Sequence, residues 1–480
     1  MITEDFFVDI HAHPTLRAYN TPFRHGRRNL WEPTENDSFN TTISRWARLK
    51  TKEIAKSSQA NLLNCAAGKI RVVFDSLYPV EKGFLNFRKL PSAVMGRAKA
   101  DQVLRTVTGI DAHQLKALRQ NNNYFEELCA QYAFLTKGQG GSPDGKYRYC
   151  LVANWAELET VTREDPDCIA VVVTVEGAHC FNAGIPQDAD APPTKRKDVV
   201  ENVNIIKSWD FAPFFINLSH HFYNELAGHS RSFKPPIFQA YNQKPGLDTG
   251  ITDLGWSVVH EMLARDNGRR ILIDIKHMST RSRQEFYRFV ESYNRLNPQD
   301  KIPVICSHTG VNEFSTFKDS RRKADRKRKG RGSYFHNWTI NLSDEEIRFI
   351  HQTGGLIGVM LDKGLLGSPE VLQQIREMES TQQIRQAFVE LIVNNIFQVV
   401  HAIGDRSAWD VLAVGTDYDG LITHVDIYPD ASALPELKTD LLDYLTRTRF
   451  RKELWFGYTP EEIVRKIMQT NALAFLRKHF

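Results

Sequence analysis

Short apolar runs recur along the chain, and many of their residues are β-branched. Within each run there is little alternation between apolar and polar positions, which is typical of parallel strands that are buried on both faces. We therefore predict eight buried parallel strands, at residues 6–10, 70–74, 169–175, 214–218, 271–275, 302–306, 356–361 and 411–414.

Segments of helical pattern lie between most of these runs. One covers residues 252–265, and another begins at Ser343, where Glu346 completes a capping box. A further capping box with proline at the first helical position, at residues 459–462, starts a helix near the end of the sequence. Alternating strands and helices in this number favour a (β/α)8 TIM-type barrel, with a doubly wound open sheet as the alternative.

Three connections are long for loops of such a barrel, at about residues 14–66, 85–167 and 309–338. We interpret them as insertions, the second largely helical, because none has the composition of a flexible Ser/Gly linker. The prediction is a single barrel domain over residues 1–480.

The composition and the first residues indicate what kind of protein this is and in which cellular compartment we expect it. The 480 residues are 41% hydrophobic and 25% charged, which is ordinary for a globular protein. The first residues lack a basic segment followed by an apolar one, and no run of about 18 apolar residues is present, so we expect a cytoplasmic protein without a membrane span. The six cysteines form no CxxC pair, which favours free thiols in a reducing compartment.

The net charge of +5 comes from one segment. Residues 318–332 contain nine Lys or Arg and two Asp, so the rest of the chain carries a charge of −2. A near-neutral body with one cationic loop does not indicate a nucleic-acid-binding protein. The loop is expected to be a solvated insertion, or alternatively to attract an anionic substrate or surface.

Candidate ligands follow six of the eight predicted strands. They are His11 and His13, Glu176, His220, His277, His308 and Asp417. In a barrel these positions converge on the face where barrel enzymes hold their active sites, and two histidines that are two apart on a strand point the same way. Imidazoles with shared carboxylates suit zinc or a similar divalent ion, so the sequence predicts a metal site.

The order of these motifs resembles the membrane (renal) dipeptidase family of the amidohydrolase superfamily. The similarity runs in blocks through nearly the whole chain: Asp9-x-His11-x-His13, the segment 68–78, Glu176-Gly177, Leu218-Ser-His220 with Asn224, the segment 250–255, Asp274-x-x-His277, the segment 303–308, Asn341-Leu-Ser with Gly354-Gly355, the segment 415–420, and Asn471-Ala.

The resemblance implies a metal-dependent hydrolase with a binuclear zinc site. The implied ligands are His11 and His13 for the first metal, Glu176 as the bridge, and His277 and His308 for the second. It also implies that Asp417 is the acid/base, and that His220 polarises the scissile carbonyl or stabilises its oxyanion. Asn224 is expected on the substrate side of the site.

Two positions depart from the family pattern. The family has HxD where this chain has His11-x-His13, which removes one negative charge and would make the metals slightly stronger Lewis acids. The family's substrate-carboxylate Arg is replaced by Ile340, which cannot bind a carboxylate. Our hypothesis is that ordinary dipeptides are poor substrates, unless Arg231 or Arg331 reaches in to replace the missing Arg.

The predicted reaction is hydrolysis of a small amide or dipeptide-like substrate by metal-activated water. Ester, lactone or phosphoester hydrolysis remains open because this chemistry does not fix the electrophile. A catalytically inactive barrel that binds a partner through the basic loop is the alternative from another class. A homodimer is compatible with the sequence.

Several neighbouring residues are expected to support the site rather than act in it. Asp9 and Asp274 precede metal histidines and could orient them. Asp419 is expected to brace the turn before Gly420, and we favour no metal role for the loop histidines His179, His221 and His229.

Overall fold

A computed structural model describes residues 5–20, 29–34, 57–85, 101, 104–105, 108, 110–184, 194–233, 241–323 and 334–480. Within these ranges the strands are β1 (Phe7–Ala12), β2 (Ile70–Leu77), β3 (Gly140–Gly141), β4 (Arg148–Leu151), β5 (Cys168–Val175), β6 (Phe215–Asn217), β7 (Leu272–Asp274), β8 (Ile305–Thr309), β9 (Leu356–Val359) and β10 (Leu412–Val414).

Eight of these strands close into a parallel barrel. Their order is β2-β1-β10-β9-β8-β7-β6-β5, and β5 pairs back onto β2 from Val72 with Ala170 to Leu77 with Val175. This closure confirms the predicted (β/α)8 fold and excludes the open sheet. The remaining two strands form a short antiparallel pair, and β4 runs parallel to the first half of β5.

Helices surround the barrel. They are α1 (Pro14–Asn20), α2 (Leu62–Ala67), α3 (Lys82–Leu85), α4 (Ala112–Gln120), α5 (Tyr124–Lys137), α6 (Trp155–Glu164), α7 (Arg196–Lys207), α8 (Asp253–Leu263), α9 (Thr280–Leu296), α10 (Phe317–Lys323), α11 (Asp344–Gln352), α12 (Lys363–Leu366), α13 (Pro369–Arg376), α14 (Thr381–Ile403), α15 (Leu434–Thr448), α16 (Pro460–Arg465) and α17 (Asn471–His479). The capping boxes at Ser343 and Thr459 are both formed, as predicted.

The barrel interior is layered. Its lower part is an apolar cluster to which every barrel strand contributes, for example Val8, Leu272 and Ile305, and α17 closes it from below with residues such as Phe475. Further along the strands the inward positions become polar, as at Asn217. The change places the polar side chains at the carboxyl end of the barrel, where barrel enzymes hold their active sites.

A bulge in β1 sets the direction of its histidines. Val8 and Ile10 belong to the apolar cluster inside the barrel. Ala12 belongs to a second, outer core, which the strands form with the surrounding helices. The β1–β2 register shifts between Asp9 and Ala12, so the alternation reverses and His11 and His13 both face inward. A similar shift between Cys306 and Thr309 in β8 lies at His308.

The three long connections are only partly described. They contain α1 and α2, then α4 to α6 with the β3–β4 pair, and then α10. Most of the cationic loop, including Arg331, lies outside the described residues, so both hypotheses about it stay predictions. The single-domain interpretation also stays a prediction.

Two sequence expectations concern the membrane and the thiols. α14 is long and apolar enough to cross a membrane by length and composition, but 61% of its most apolar window is buried inside the protein. It packs against α11 and α15.

All six cysteines are free, and the Sγ atoms of Cys150 and Cys168 lie 3.3 Å apart on neighbouring strands.

Candidate metal and catalytic site

The ends of six barrel strands bring the seven predicted side chains into one buried cluster. His11 and His13 lie in and just after β1, and His308 lies in β8. The others follow their strands directly or within a few residues: Glu176 after β5, His220 after β6, His277 after β7 and Asp417 after β10. All seven are buried, with no more than 7% of any residue exposed.

Glu176 is the centre of the cluster. Its Oε1 lies 3.6 Å from His11 Nε2, 3.3 Å from His277 Nε2 and 3.5 Å from His308 Nε2. Its Oε2 lies 3.0 Å from His13 Nε2. The carboxylate therefore lies between the two histidines of the first strand and those that follow β7 or lie in β8.

Asp417 lies close to three of these histidines. Its Oδ1 is 3.7 Å from His11 Nε2 and 3.6 Å from His13 Nε2, and its Oδ2 is 3.8 Å from His308 Nε2. The ligand atoms of His11, His13, Glu176 and Asp417 all lie within 4.8 Å of one another, as do those of Glu176, His277 and His308.

The donor set fits a divalent metal. Within the described chain, His11 Nε2, His13 Nε2 and Glu176 Oε1 are buried without a hydrogen-bond partner. Buried polar atoms are rarely left unpaired, because desolvation without a partner costs about 1–3 kcal/mol each. His13 Nδ1 donates to the carbonyl of Ser76 at 2.7 Å, so Nε2 is the nitrogen that faces Glu176. Neutral imidazoles and a shared carboxylate are the ligands that zinc and similar ions prefer.

The surroundings favour the ligand forms of Glu176, His277 and His308. Burial alone would disfavour the Glu176 carboxylate, but the surrounding imidazoles, His220 first, hold its pKa well below the usual range. Burial lowers the pKa of His277 to about 3 and that of His308 well below its usual value. Burial would also lower the pKa of His13, but the neighbouring Asp417 and Glu176 carboxylates raise it well above its usual value. Burial raises the pKa of Asp417, and the Glu176 charge adds to the rise.

Ser307 connects two of the histidines to Asp274. Its hydroxyl donates to Asp274 Oδ2 and lies 3.1 Å from His11 Nδ1 and 2.9 Å from His308 Nδ1. Since that hydroxyl hydrogen is used, the histidine Nδ1–H groups donate to Ser307 and their Nε2 atoms face the cluster. Asp274 therefore reaches His11 and His308 through Ser307, the kind of partner that orients metal ligands.

Asp9 and Asp419 act on the backbone around the site. Asp9 Oδ2 accepts from the Thr416 hydroxyl at 2.6 Å, which fastens β1 to the segment before Asp417. Asp419 accepts from the backbone amides of Gln59 and Ala60 and pairs with Arg17 at 2.8 Å. Asp419 thus fastens the loop after β10 to α1 and to the segment before α2.

Backbone conformation at the site is unusual. His277 (φ 66°) and Asp417 (φ 62°) adopt the left-handed conformation, which is uncommon for residues other than glycine and concentrates at functional sites. A Cβ at Gly420 would lie 1.9 Å from Asp417 Oδ1. Glycine is therefore required at position 420 to leave room for the Asp417 carboxylate.

The predicted substrate-side residues are placed differently from one another. His220 Nε2 lies 3.5 Å from Glu176 Oε2. Asn224 is buried, and among the described residues its side chain bonds to backbone of its own loop, at Leu218, Leu226 and Ala227. Arg231 is exposed, with its guanidinium 5.8 Å from the Trp338 ring centroid, whereas Arg331 lies outside the described residues.

Of the loop histidines, His179 and His229 bond to backbone carbonyls, at Pro79 and Pro245. His221 lies closer to the site than we expected. Its ring centroid is 3.9 Å from that of His220 and 5.0 Å from that of His277, and its Nδ1 is 2.7 Å from Ser232 Oγ.

The fold and this cluster are those of a metal-dependent hydrolase. Residues 215–474 match the family model of membrane dipeptidase (peptidase family M19). The match spans more than half of the chain, which therefore belongs to this family, as the motifs in the sequence suggested.

A solved structure shows the same fold. A metallopeptidase from Rhodobacter sphaeroides, liganded with a phosphinate mimic of the dipeptide L-Ala-D-Ala, is 14% identical, with 99% of each chain covered and a TM-score of 0.54. A probable dipeptidase from Pseudomonas aeruginosa is 15% identical over 88% of this chain and 90% of its own, with a TM-score of 0.48.

Proposed function

We propose that this protein hydrolyses dipeptides or closely related small amides with two divalent metal ions, zinc being the first candidate. The observation that carries the proposal is the position of Glu176. Glu176 belongs to both groups of converging ligand atoms, one with His11, His13 and Asp417 and the other with His277 and His308, as expected of a carboxylate shared between two ions.

In this proposal, five side chains hold the metals: His11, His13, Glu176, His277 and His308. The bound ions would polarise the substrate carbonyl and activate water at neutral pH. Asp417 would accept a proton from the attacking water and deliver it to the leaving amine, since its carboxylate borders the same space. His220 would donate a hydrogen bond from Nε2 to the carbonyl oxygen as charge develops on it.

The substrate class rests on the family and on one related structure. The Rhodobacter metallopeptidase was crystallised with a dipeptide mimic, and it shares the fold over the full length of this chain. The test is to assay the zinc- or manganese-loaded protein on dipeptides, esters, lactones and phosphoesters. Dipeptide turnover supports the proposal, whereas turnover of an ester, lactone or phosphoester alone would replace it with the alternative that the sequence left open.

Recognition of the substrate carboxylate must differ from the family pattern. Ile340 is 1% exposed and packs in the outer core, so it offers nothing to an anion. Arg231 is a candidate for binding the substrate carboxylate instead. Ser230 N donates to the His277 carbonyl at 2.8 Å and Ser232 bonds to His221, so Arg231 lies between two anchors on site residues.

Arg231 also contacts the segment in which the family has its carboxylate-binding Arg and this chain has Ile340. Its guanidinium packs against Trp338, two residues before Ile340. We propose that Arg231 binds the substrate carboxylate, which a guanidinium can do with two parallel hydrogen bonds. Free dipeptides would then be good substrates, which reverses our hypothesis from the sequence.

Replacing Arg231 by glutamine should therefore raise KM for free dipeptides by about 10- to 100-fold, as for loss of a charged hydrogen bond. Values of kcat/KM for C-terminally amidated dipeptides should change by less than about threefold. The control is Arg447→Gln, an exposed arginine on α15. If Arg231→Gln has no effect and the wild type prefers blocked substrates, the original hypothesis stands. A loss in Arg331→Gln instead would move the role to the cationic loop.

A further inference from the structure

A buried carboxylate lies behind the histidine that faces the substrate. Glu81 Oε2 is 2.6 Å from His220 Nδ1, and the two residues are 3% and 4% exposed. They are 139 residues apart in the chain and meet because the loops after β2 and β6 are neighbours at the carboxyl end of the barrel. Glu81 has no part in the metal binding or the proton transfer proposed for this site.

The Glu81 carboxylate is itself held in place. Its Oε1 accepts from the backbone amide of Phe222 at 3.0 Å, and its Oε2 accepts from the Tyr78 hydroxyl at 3.0 Å. Burial works against its ionisation, but the positive charge of His220 and its hydrogen bond prevail and lower the pKa of Glu81 to about 2. Glu81 is therefore a fixed carboxylate with its charge directed at His220.

This contact determines how the His220 ring is presented. The Nδ1–H group is used by Glu81, and the opposite nitrogen, Nε2, points toward Glu176 Oε2 at 3.5 Å. The ring also packs edge to face on Tyr78, with centroids 4.9 Å apart. Since Nδ1–H donates to Glu81, Nε2 can donate to a substrate oxygen only when the ring carries both protons, and the Glu81 carboxylate stabilises that positively charged ring.

We propose that Glu81 is a positioning residue for hydrolysis, which fixes the orientation of His220 and balances the charge on its ring during the reaction. The proposal rests on the proposed function, because it needs His220 to contact the substrate carbonyl. The competing role is structural: the bond from Phe222 N to Glu81 also ties together the two loops.

The two roles differ in a double-mutant cycle. We would measure kcat, KM and bound metal for the wild type, Glu81→Gln, His220→Ala and the double variant, all zinc-loaded, on one dipeptide. Glu81→Gln should lower kcat by roughly 10- to 100-fold, somewhat less than loss of an oxyanion donor itself, with KM changed less than threefold. In the His220→Ala background the same substitution should change kcat less than twofold, because residues that act through one another are not additive.

A matched control is Glu346→Gln. Glu346 is also a buried carboxylate with a charged partner, Arg283 at 3.0 Å, but it lies outside the site. This control should lower Tm and leave kcat unchanged. Glu81→Asp keeps the charge and should recover part of the kcat lost in Glu81→Gln.

A measurement on the unmodified protein covers the case in which Glu81→Gln does not fold. A short histidine–carboxylate hydrogen bond should give a far-downfield imidazole N–H proton resonance in NMR, and His220→Ala should remove it. The proposal is overturned if that resonance is absent, or if Glu81→Gln lowers kcat by the same factor with and without His220. It is also overturned if Glu81→Gln lowers Tm alone. A wild type that binds no metal and cleaves no dipeptide would instead reject the proposed function.

Discussion

Replacing Glu176 by glutamine is expected to remove the metal and, with it, the activity. Glu176 Oε1 lies near His11, His277 and His308, and its Oε2 lies near His13. Glutamine offers a single, uncharged oxygen, so neither group of ligands would keep its charge balance. Because changing even a supporting partner of a metal ligand costs about 10- to 100-fold in affinity, loss of a shared ligand should cost at least 100-fold.

The measurement is metal content by elemental analysis after dialysis against a defined zinc concentration. Glu346→Gln is again the control, since it also neutralises a buried carboxylate, and it should keep the wild-type metal content. A Glu176→Gln protein that binds metal and turns over like the wild type would show that Glu176 is not a shared ligand.

Asp417→Asn should lower kcat by roughly 100-fold or more, as for loss of a general acid/base. The carboxylate lies within 4 Å of three site histidines, at distances of 3.6 to 3.8 Å, yet asparagine has the same shape and also tolerates the left-handed backbone conformation. The fold should therefore survive, and the loss should appear in kcat.

Asp419→Asn is the matched comparison. It lies two residues away and has the same backbone conformation, but its carboxylate is committed to Arg17 and to the amides of Gln59 and Ala60. That variant should lose thermal stability rather than turnover per folded molecule. Unchanged turnover in Asp417→Asn on a dipeptide would assign the acid/base role to another residue.

The barrel could be predicted from the sequence because each of its strands is buried on both faces and therefore reads as a continuous apolar run. Strand ends were less predictable. The run at residues 302–306 begins before β8, which starts at Ile305, because Val304 N donates to the Thr353 hydroxyl instead of to a neighbouring strand. The β3–β4 pair was missed, since Gly140–Gly141 has no apolar pattern at all.

The candidate ligands could be predicted because the carboxyl ends of the strands in a barrel converge on one face, independently of the conformation of the loops. Their supporting residues could not. Ser307 meets His11 across 296 residues and Glu81 meets His220 across 139, so only the packing of distant segments creates these contacts. The bulge in β1 was likewise invisible in the sequence, although it turns His11 and His13 inward.

The most direct test of the central claim is a metal titration of chelator-stripped protein followed by dipeptide hydrolysis. The structure places two overlapping groups of ligands around Glu176. We therefore predict that the stripped protein is inactive, and that activity rises with added zinc or manganese and saturates near two equivalents per chain. Full activity without metal, or no dipeptide hydrolysis after saturation with either ion, would contradict the account.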